Sequence, residues 1–314
     1  MTATAAALGL VVDRLFGEPP ARWHPVAWFG TAMTAAENRW WADDRIRGAA
    51  HATLGVAIAV APAVGLRRVL GRSAATVVAS GVSIAGSMLE REAHGVARAL
   101  ADGEVEVARQ RVGRLVGRST DELDPTEISR AVVETVAENL VDAVTASLFW
   151  ASVGGAPGVL AHRAVNTMDA MVGHRTERYE RFGSVSARLD DVANWIPARV
   201  TAAACAVAVP SRAVEIVRIV RRDAGGHPSP NGGVVEAAFA AALGVRLGGT
   251  NVYDGVSEDR GELGDGRPPT VDDVDRAVAL ARRITAITAL GGVGAQLGLR
   301  AAGPARRTRG RRRD

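Results

Sequence analysis

Lysine is absent from this 314-residue chain, so all 38 of its basic residues are arginine. That excludes a Gly-x-x-x-x-Gly-Lys phosphate loop, a Schiff-base lysine and a lysine general base. Any grip on phosphate must come from arginine, histidine, backbone N–H groups or a metal. Cysteine is nearly absent as well. Cys205 is the only one, so no disulfide forms within the chain, and its setting, AAACAVAV, marks a packed thiol rather than a nucleophile. Aromatic residues are scarce at 4%, yet 47% of the chain is hydrophobic. Ala, Val, Gly and Leu supply most of that bulk, and the mean hydropathy of +0.07 is high for a chain carrying 23% charged residues. A basic face for nucleic acid is also missing. The net charge is +4, but the segment 304–314, with six arginines and one aspartate, contributes +5 and leaves −1 for the remainder.

What is present is a series of apolar runs. The first, MTATAAALGLVV, has no basic residue before Arg14 and is expected to be a retained hydrophobic helix rather than a cleaved signal. Trp23, Trp28, Trp40 and Trp41 follow it, as rings at a membrane–water interface would. Runs 49–66 and 73–89 flank a basic RRVLGR turn and are expected to form a transmembrane hairpin, rich in the small residues that let membrane helices pack closely. Further runs span 143–161, broken by Gly154-Gly155-Ala156-Pro157-Gly158, then 200–217 around Pro210, and 284–299. No internal repeat is visible. The expected fold is all-α, a polytopic integral membrane protein with roughly four to five hydrophobic helices. It reads as one helical membrane domain over 1–303, with polar cytoplasmic segments at about 90–142, 162–199 and 218–283, and a basic, disordered tail at 304–314. Parity is a difficulty. If 143–161 and 200–217 both cross, the polar cluster between them faces away from the other polar segments, unless the Gly-Pro break is re-entrant.

Asp124-Pro125-Thr126-Glu127 has the form of a helix start with a capping box. On the helix that follows, Glu134, Glu138 and Asp142 recur every four residues and share one face. Two like-charge pairs at that spacing cost a few tenths of a kcal/mol each. A solvated stripe is the plain explanation, but this one ends where an apolar run begins, which suits cation ligands or acid–base groups. Asn139 lies beside it. In Asn166-Thr-Met-Asp169, Asn166 and Asp169 share a polar face opposite Val165, Met168 and Val172. An acid inside a membrane segment costs roughly 2.5–3.5 kcal/mol. Arg188-Leu-Asp190-Asp191-Val-Ala-Asn194 offers two adjacent aspartates for Mg²⁺, although an Arg188–Asp191 ion pair is the bland alternative. Two His-Pro turns, at His24 and His227, complete the set. The second, HPSPNGG, leads into a helix, where Ser229, Asn231 or the glycines can present donors to an anion. His51, His94, His162 and His174 read as structural.

Taken together, DRLFGEPPARWHPVAWFG, ETVAENLVDAV, AVNTMDAMVGHR, ERFGSVSARLDDVANWIPAR and HPSPNGGVVEAAFAAALGVRLGG resemble the CobD/CbiB family, in order and over nearly the whole chain. Two positions depart from the family pattern: Ala170, where Ser is usual, and His174, where Tyr is usual. The resemblance implies an adenosylcobinamide-phosphate synthase of the cell membrane, multi-pass, with its site on the cytoplasmic side. Its reaction would join a carboxylate of adenosylcobyric acid to (R)-1-aminopropan-2-ol or its O-phosphate, driven by ATP with Mg²⁺. The implied partners are the corrinoid, the amino alcohol, membrane lipid and other membrane proteins of the pathway, with no nucleic acid. On that reading Glu134, Glu138 and Asp142 are the catalytic candidates. Asp190 and Asp191 hold the metal. Arg14, His24, Asn139, Asn166, Asp169, Arg188, Asn194, Arg199, His227, Ser229 and Asn231 bind substrate or nucleotide. Two other classes stay open: an intramembrane Mg²⁺-dependent prenyl- or phosphotransferase, and a non-catalytic transporter or sensor component.

Overall fold

A computed structural model describes residues 2–174, 176–253 and 256–302. The arginine tail expected at 304–314 lies outside them. The chain is almost wholly helical. Its first helices are α1 (Thr2–Phe16), α2 (Pro25–Trp40), α3 (Arg45–Ser83), α4 (Gly86–Ala101) and α5 (Val105–Val112). Next come α6 (Pro125–Leu140), α7 (Ala146–Val172), α8 (Ser184–Ala208), α9 (Ala213–Asp223) and α10 (Gly232–Leu243). An antiparallel hairpin of β1 (Leu247–Tyr253) and β2 (Val256–Leu263) precedes the last helix, α11 (Val271–Ala301). Among the described residues, that hairpin is the sheet structure in an otherwise helical fold.

Among the described residues, three stretches are long and apolar enough to cross a membrane: Arg45–Ala101, Pro125–Val172 and Val271–Ala301. A fourth arises if α8 and the segment from Pro210 to Gly226, bent by 107°, count as one broken span. Their outer surfaces carry large apolar side chains in the open: Leu15 and Phe16 on α1, Val69 on α3, Leu290 and Leu299 on α11. So much exposed apolar surface on several neighbouring helices suits contact with lipid tails. Trp23, Trp28, Trp40, Trp41 and Trp195 are exposed as well, as expected of interfacial rings.

Two glycines shape the membrane core. α3 kinks at Gly71 (φ 77°, ψ 169°), within the basic turn between the two runs read as a hairpin. α7 kinks at Gly155 (φ 64°, ψ −149°), a conformation open to glycine and costly for any other residue. A straight helix would set Asp142 and His162 about 30 Å apart. Both instead bond the same side chain, Asn194. The chain therefore turns back at Gly155. α3 follows the same course beside it, with Gly55 against Met168, Thr76 against Gly155, and the Ala85 N–H bonded to the Ala143 carbonyl. The parity difficulty is thereby removed: the Gly-Pro break is the tip of a hairpin, and the polar clusters before and after it meet at one end of the bundle.

The other helices define the two ends. At the hairpin tips the Thr2 hydroxyl donates to the Ser152 carbonyl, and Gln296 of α11 accepts from the Ala3 N–H at 2.8 Å. At the other end Ser87 bonds Asp13, and Arg282 of α11 bonds Glu90. α11 thus begins at the polar end and finishes beside the tips. Ala301 therefore lies at the opposite end of the bundle from Asp142.

Two outcomes follow. Gly155→Ala should cost about 1–3 kcal/mol, seen as a lowered unfolding temperature in detergent. Gly154→Ala, where a Cβ meets nothing within 4 Å, should be close to neutral. Cys205 is fully buried, so a cysteine introduced at Asp121 or at Arg300 is the reactive thiol of its variant. A membrane-impermeant maleimide should label those two positions from opposite sides of the membrane.

Candidate functional site

α6 begins as its sequence dictates. The Asp124 carboxylate accepts the Glu127 N–H at 2.8 Å, and the Glu127 carboxylate accepts the Asp124 N–H at 3.0 Å. The helix presents Glu134, Glu138 and Asp142 along one face and then widens into a single π-helical turn, Val141–Thr145, that contains Asp142. Such turns expose backbone groups and often mark functional positions. Here the Ala143 carbonyl is used by the Ala85 N–H from another helix.

The three acids sit in different surroundings. Glu134 is buried: Arg118 lies 3.1 Å from one oxygen, and the Gly248 N–H of β1 donates to the other at 2.8 Å. Arg130 is 3.7 Å away and also bonds the Gly248 carbonyl. Glu134 thus anchors the β-hairpin. Glu138 meets Arg260 of β2 at 3.1 Å. Arg260 in turn bonds the His227 ring through its Nε at 3.0 Å and lies 3.5 Å from Glu236 of α10. The carboxyl of Glu236 is pushed upward, first by burial and then by the charge of Glu134. His227 is held below the ordinary imidazole range by burial and by the Arg260 guanidinium, so it is neutral. Arg118, Glu134, Glu138, Asn139 and Arg260 line a polar cavity of about 110 Å³.

One turn on, Asp142 accepts from the Asn194 Nδ2 at 3.0 Å. The same Nδ2 donates to Asp190 at 2.9 Å, and the Asn194 Oδ1 bonds the His162 Nε2 at 2.8 Å. Asn166 reaches Asp190 at 3.4 Å. Asp169 lies within the field of Asp142 and Asp191, and Arg163 within that of Glu18 and Asp142. The HPSPNGG loop closes this end. Arg199, stacked on Trp195, donates to the Asn231 Oδ1 at 2.7 Å and the Pro230 carbonyl at 3.1 Å. Asn231 donates to the Asp191 carbonyl at 2.8 Å, and the Ser229 hydroxyl accepts from Gly232. The loop presses so closely on α6 that a Cβ at Gly232 would lie 2.7 Å from a Glu138 oxygen.

The structure therefore gathers Glu134, Glu138, Asn139, Asp142, Asn166, Asp169, Asp190, Asp191, Asn194, Arg199, His227, Ser229 and Asn231 into one strip. It leaves others elsewhere. Arg14 pairs with Glu90, on the far side of α6 from the acids. His24 caps α2, accepting from the Val26 N–H at 3.2 Å. Arg188 is exposed on α8. The two aspartates expected to hold a metal have unlike settings, since the Asp190 carboxylate accepts from two asparagines while the Asp191 backbone carbonyl holds the loop. Sequence reading missed Arg118, His162, Arg163, Glu236 and Arg260. Of these only Glu236 carried a local signal, a lone acid inside the apolar run GGVVEAAFAAALG.

The Arg118–Glu134 pair is nearly sealed from water, so removing one partner strands a buried charge. Glu134→Gln should destabilise the protein by about 3–5 kcal/mol. It should also loosen the β-hairpin, seen as faster amide exchange at Gly248.

Comparison with known proteins bears on what this strip serves. A family described as CobD/Cbib protein matches residues 6–281. Cobalamin biosynthesis protein CobD of Mycobacterium tuberculosis (strain ATCC 25618 / H37Rv) is 44% identical over 290 residues, covering 90% of this chain and 92% of that protein. Proteins of the same name from Chromobacterium violaceum and from Klebsiella pneumoniae subsp. pneumoniae are 42% and 40% identical, covering 88% and 89% of this chain and 91% and 93% of theirs. No solved structure matches. A family pattern that spans the strip from α1 to α11, with relatives matched almost end to end, establishes that the chain belongs to the CobD/CbiB family.

Proposed function

We propose that this protein acts in cobalamin biosynthesis as an ATP-dependent ligase that joins a corrin carboxylate to an amino alcohol or its O-phosphate. Family membership supports the pathway. The observation that carries the chemistry is the Asn194 bridge between Asp142 and Asp190, with Glu138 and Arg260 one turn away. A carboxylate and an ammonium do not condense unaided at neutral pH. Transfer of a phosphoryl or nucleotidyl group from ATP to the carboxylate turns one oxygen into a leaving group. The ammonium first loses one proton to give the amine, whose nitrogen attacks the carbonyl carbon; the C–O bond to phosphate breaks, and a second proton leaves the nitrogen as the amide forms. Phosphoryl transfer of this kind depends mainly on positioning and charge.

Roles follow from position. Asp142, or Glu138 beside it, takes the proton from the attacking nitrogen. Arg163 and Arg199 hold phosphate oxygens, the task that falls to arginine in a chain without lysine. Asp190 and Asp191, which offer the oxygen ligands Mg²⁺ takes, would hold that ion, which would neutralise phosphate charge. Asn166 and Asn194 orient the aspartates. The cavity beside Asn139 and Arg118 suits the small amino alcohol better than the corrin, which the open mouth of the strip must accept. The reaction needs ATP, so the polar end faces the cytoplasm on this reading. The positive-inside bias of Arg67, Arg68 and Arg72 at the α3 tip points the other way, and the labelling experiment above decides between them.

Purified protein in nanodiscs should consume ATP only when both corrin acid and amine are present, and should yield one amide per ATP. Asp142→Asn, Glu138→Gln and Asp191→Asn should each lower turnover by about 10²–10⁴-fold. Full ATP-dependent turnover in all three would remove this reading.

A further inference from the structure

Glu138, His227 and Glu236 come from three separate elements, and one ligand atom from each lies within 4.8 Å of the others. Two of them are deeply placed, the side chain of Glu236 being 1% exposed and that of His227 fully buried, while the side chain of Glu138 is 35% exposed. Arginine only donates, so the Arg260 Nε–H, 3.0 Å from the His227 Nε2, requires a lone pair on that nitrogen. On its other side the ring Nδ1 faces the Ser229 backbone, whose N–H and carbonyl each lie 3.1 Å from it. The consequence falls on Glu236. Its Oε1 has no hydrogen bond, and its neighbour at 3.2 Å is that same Nε2. The Arg260 Nη2 lies 3.5 Å from the same Glu236 oxygen and 3.1 Å from a Glu138 oxygen, so three ligand atoms converge on one point that a guanidinium now fills. Buried acceptors so placed call for a shared cation.

The geometry points to a divalent-cation site formed by Glu138, His227 and Glu236, separate from the aspartate set and suited to a metal of the Mn²⁺ or Zn²⁺ class, with the Arg260 guanidinium as its competitor. One nitrogen and two carboxylates favour such ions over Mg²⁺, which takes oxygen. Side-chain rotation closes the present spread onto ion–ligand distances of about 2.1 Å. The Ser229 backbone holds the Nδ1 side of the ring in place, as the outer partner of a ligating histidine does. Arg260 is carried by the β-hairpin, not by a helix.

The test uses the full chain in detergent with Mn²⁺ alone, without nucleotide or corrinoid, so its result is independent of amide formation. The protein should bind one Mn²⁺ in this site, and pulsed EPR should show ¹⁴N coupling. His227→Asn should abolish that coupling, while His162→Asn should leave it. Glu236→Gln should weaken binding at least tenfold. Arg260→Gln, which removes the competing charge, should tighten it at least tenfold, and that gain shows the variant to be folded. Bound Mn²⁺ without nitrogen coupling and lost in Asp190→Asn would assign the ion to the aspartates and overturn the proposal. So would Arg260→Gln binding Mn²⁺ less tightly than the parent, because the cluster would then be an ion-pair network that needs its arginine.

Discussion

At Gly155 the helix that leaves Asp142 turns round and comes back to deliver His162, Asn166 and Asp169 to the level from which it started. Nothing else in the sequence brings these groups together, for they lie twenty residues or more beyond Asp142 on what is otherwise continuous helix. The reversal needs a residue without a Cβ, and α3 supports it by kinking alongside at Gly71. The same turn makes an end of the bundle on which polar side chains can collect. Transporter helices are also interrupted by Gly and Pro, but there the unwound backbone itself is the ligand. Here the break is remote from the acids, and its role is to return the chain.

Collecting acids in a partly buried place is expensive, and the fold meets the cost locally in each case. Glu134 is neutralised by Arg118 and Arg130, and Glu138 and Glu236 share Arg260. Asp142 and Asp190 have no arginine bonded directly to them among these contacts and instead share an amide. The chain divides into a half managed by guanidinium groups, centred on the β-hairpin, and a half managed by asparagines, centred on α8. The first is rigidly paired. The second keeps carboxylate oxygens available, and that difference is the reason for placing the phosphate chemistry there.

Much of this was legible in the sequence because it depends on local period. The capping box at Asp124 and Glu127 formed as its spacing required, and the four-residue spacing put Glu134, Glu138 and Asp142 on one face. Asn166 and Asp169 do lie opposite Val165, Met168 and Val172, which are buried. The lone Cys205 is packed, as its neighbours implied. The run 49–66 lies in the first limb of α3, before its kink, and 73–89 covers the second limb and the start of α4. What could not be read depends on which distant segments meet. Arg260 sits on a glycine-rich hairpin with little strand signature. His162 looked like any histidine in an apolar helix until the reversal brought it to Asn194. The direction of the chain after Gly155 decides both parity and sidedness, and no periodicity encodes it. Arg14 and His24 were chosen by motif alone, and the structure gives them roles in holding helices.

The hydrogen bonds of Asn194 have a further consequence. Its amide nitrogen has two hydrogens, and both are spent on carboxylates, Asp142 and Asp190. Its oxygen must therefore receive, and the donor facing it is the His162 Nε2. That pins the imidazole to one tautomer and leaves its Nδ1, buried and without a hydrogen-bond partner, as a bare acceptor. Swapping the oxygen and nitrogen of Asn194 would set three oxygens against one another and strand the ring. The network consequently has a polarity, running from histidine through amide to acids, and it cannot be reversed by a simple side-chain flip.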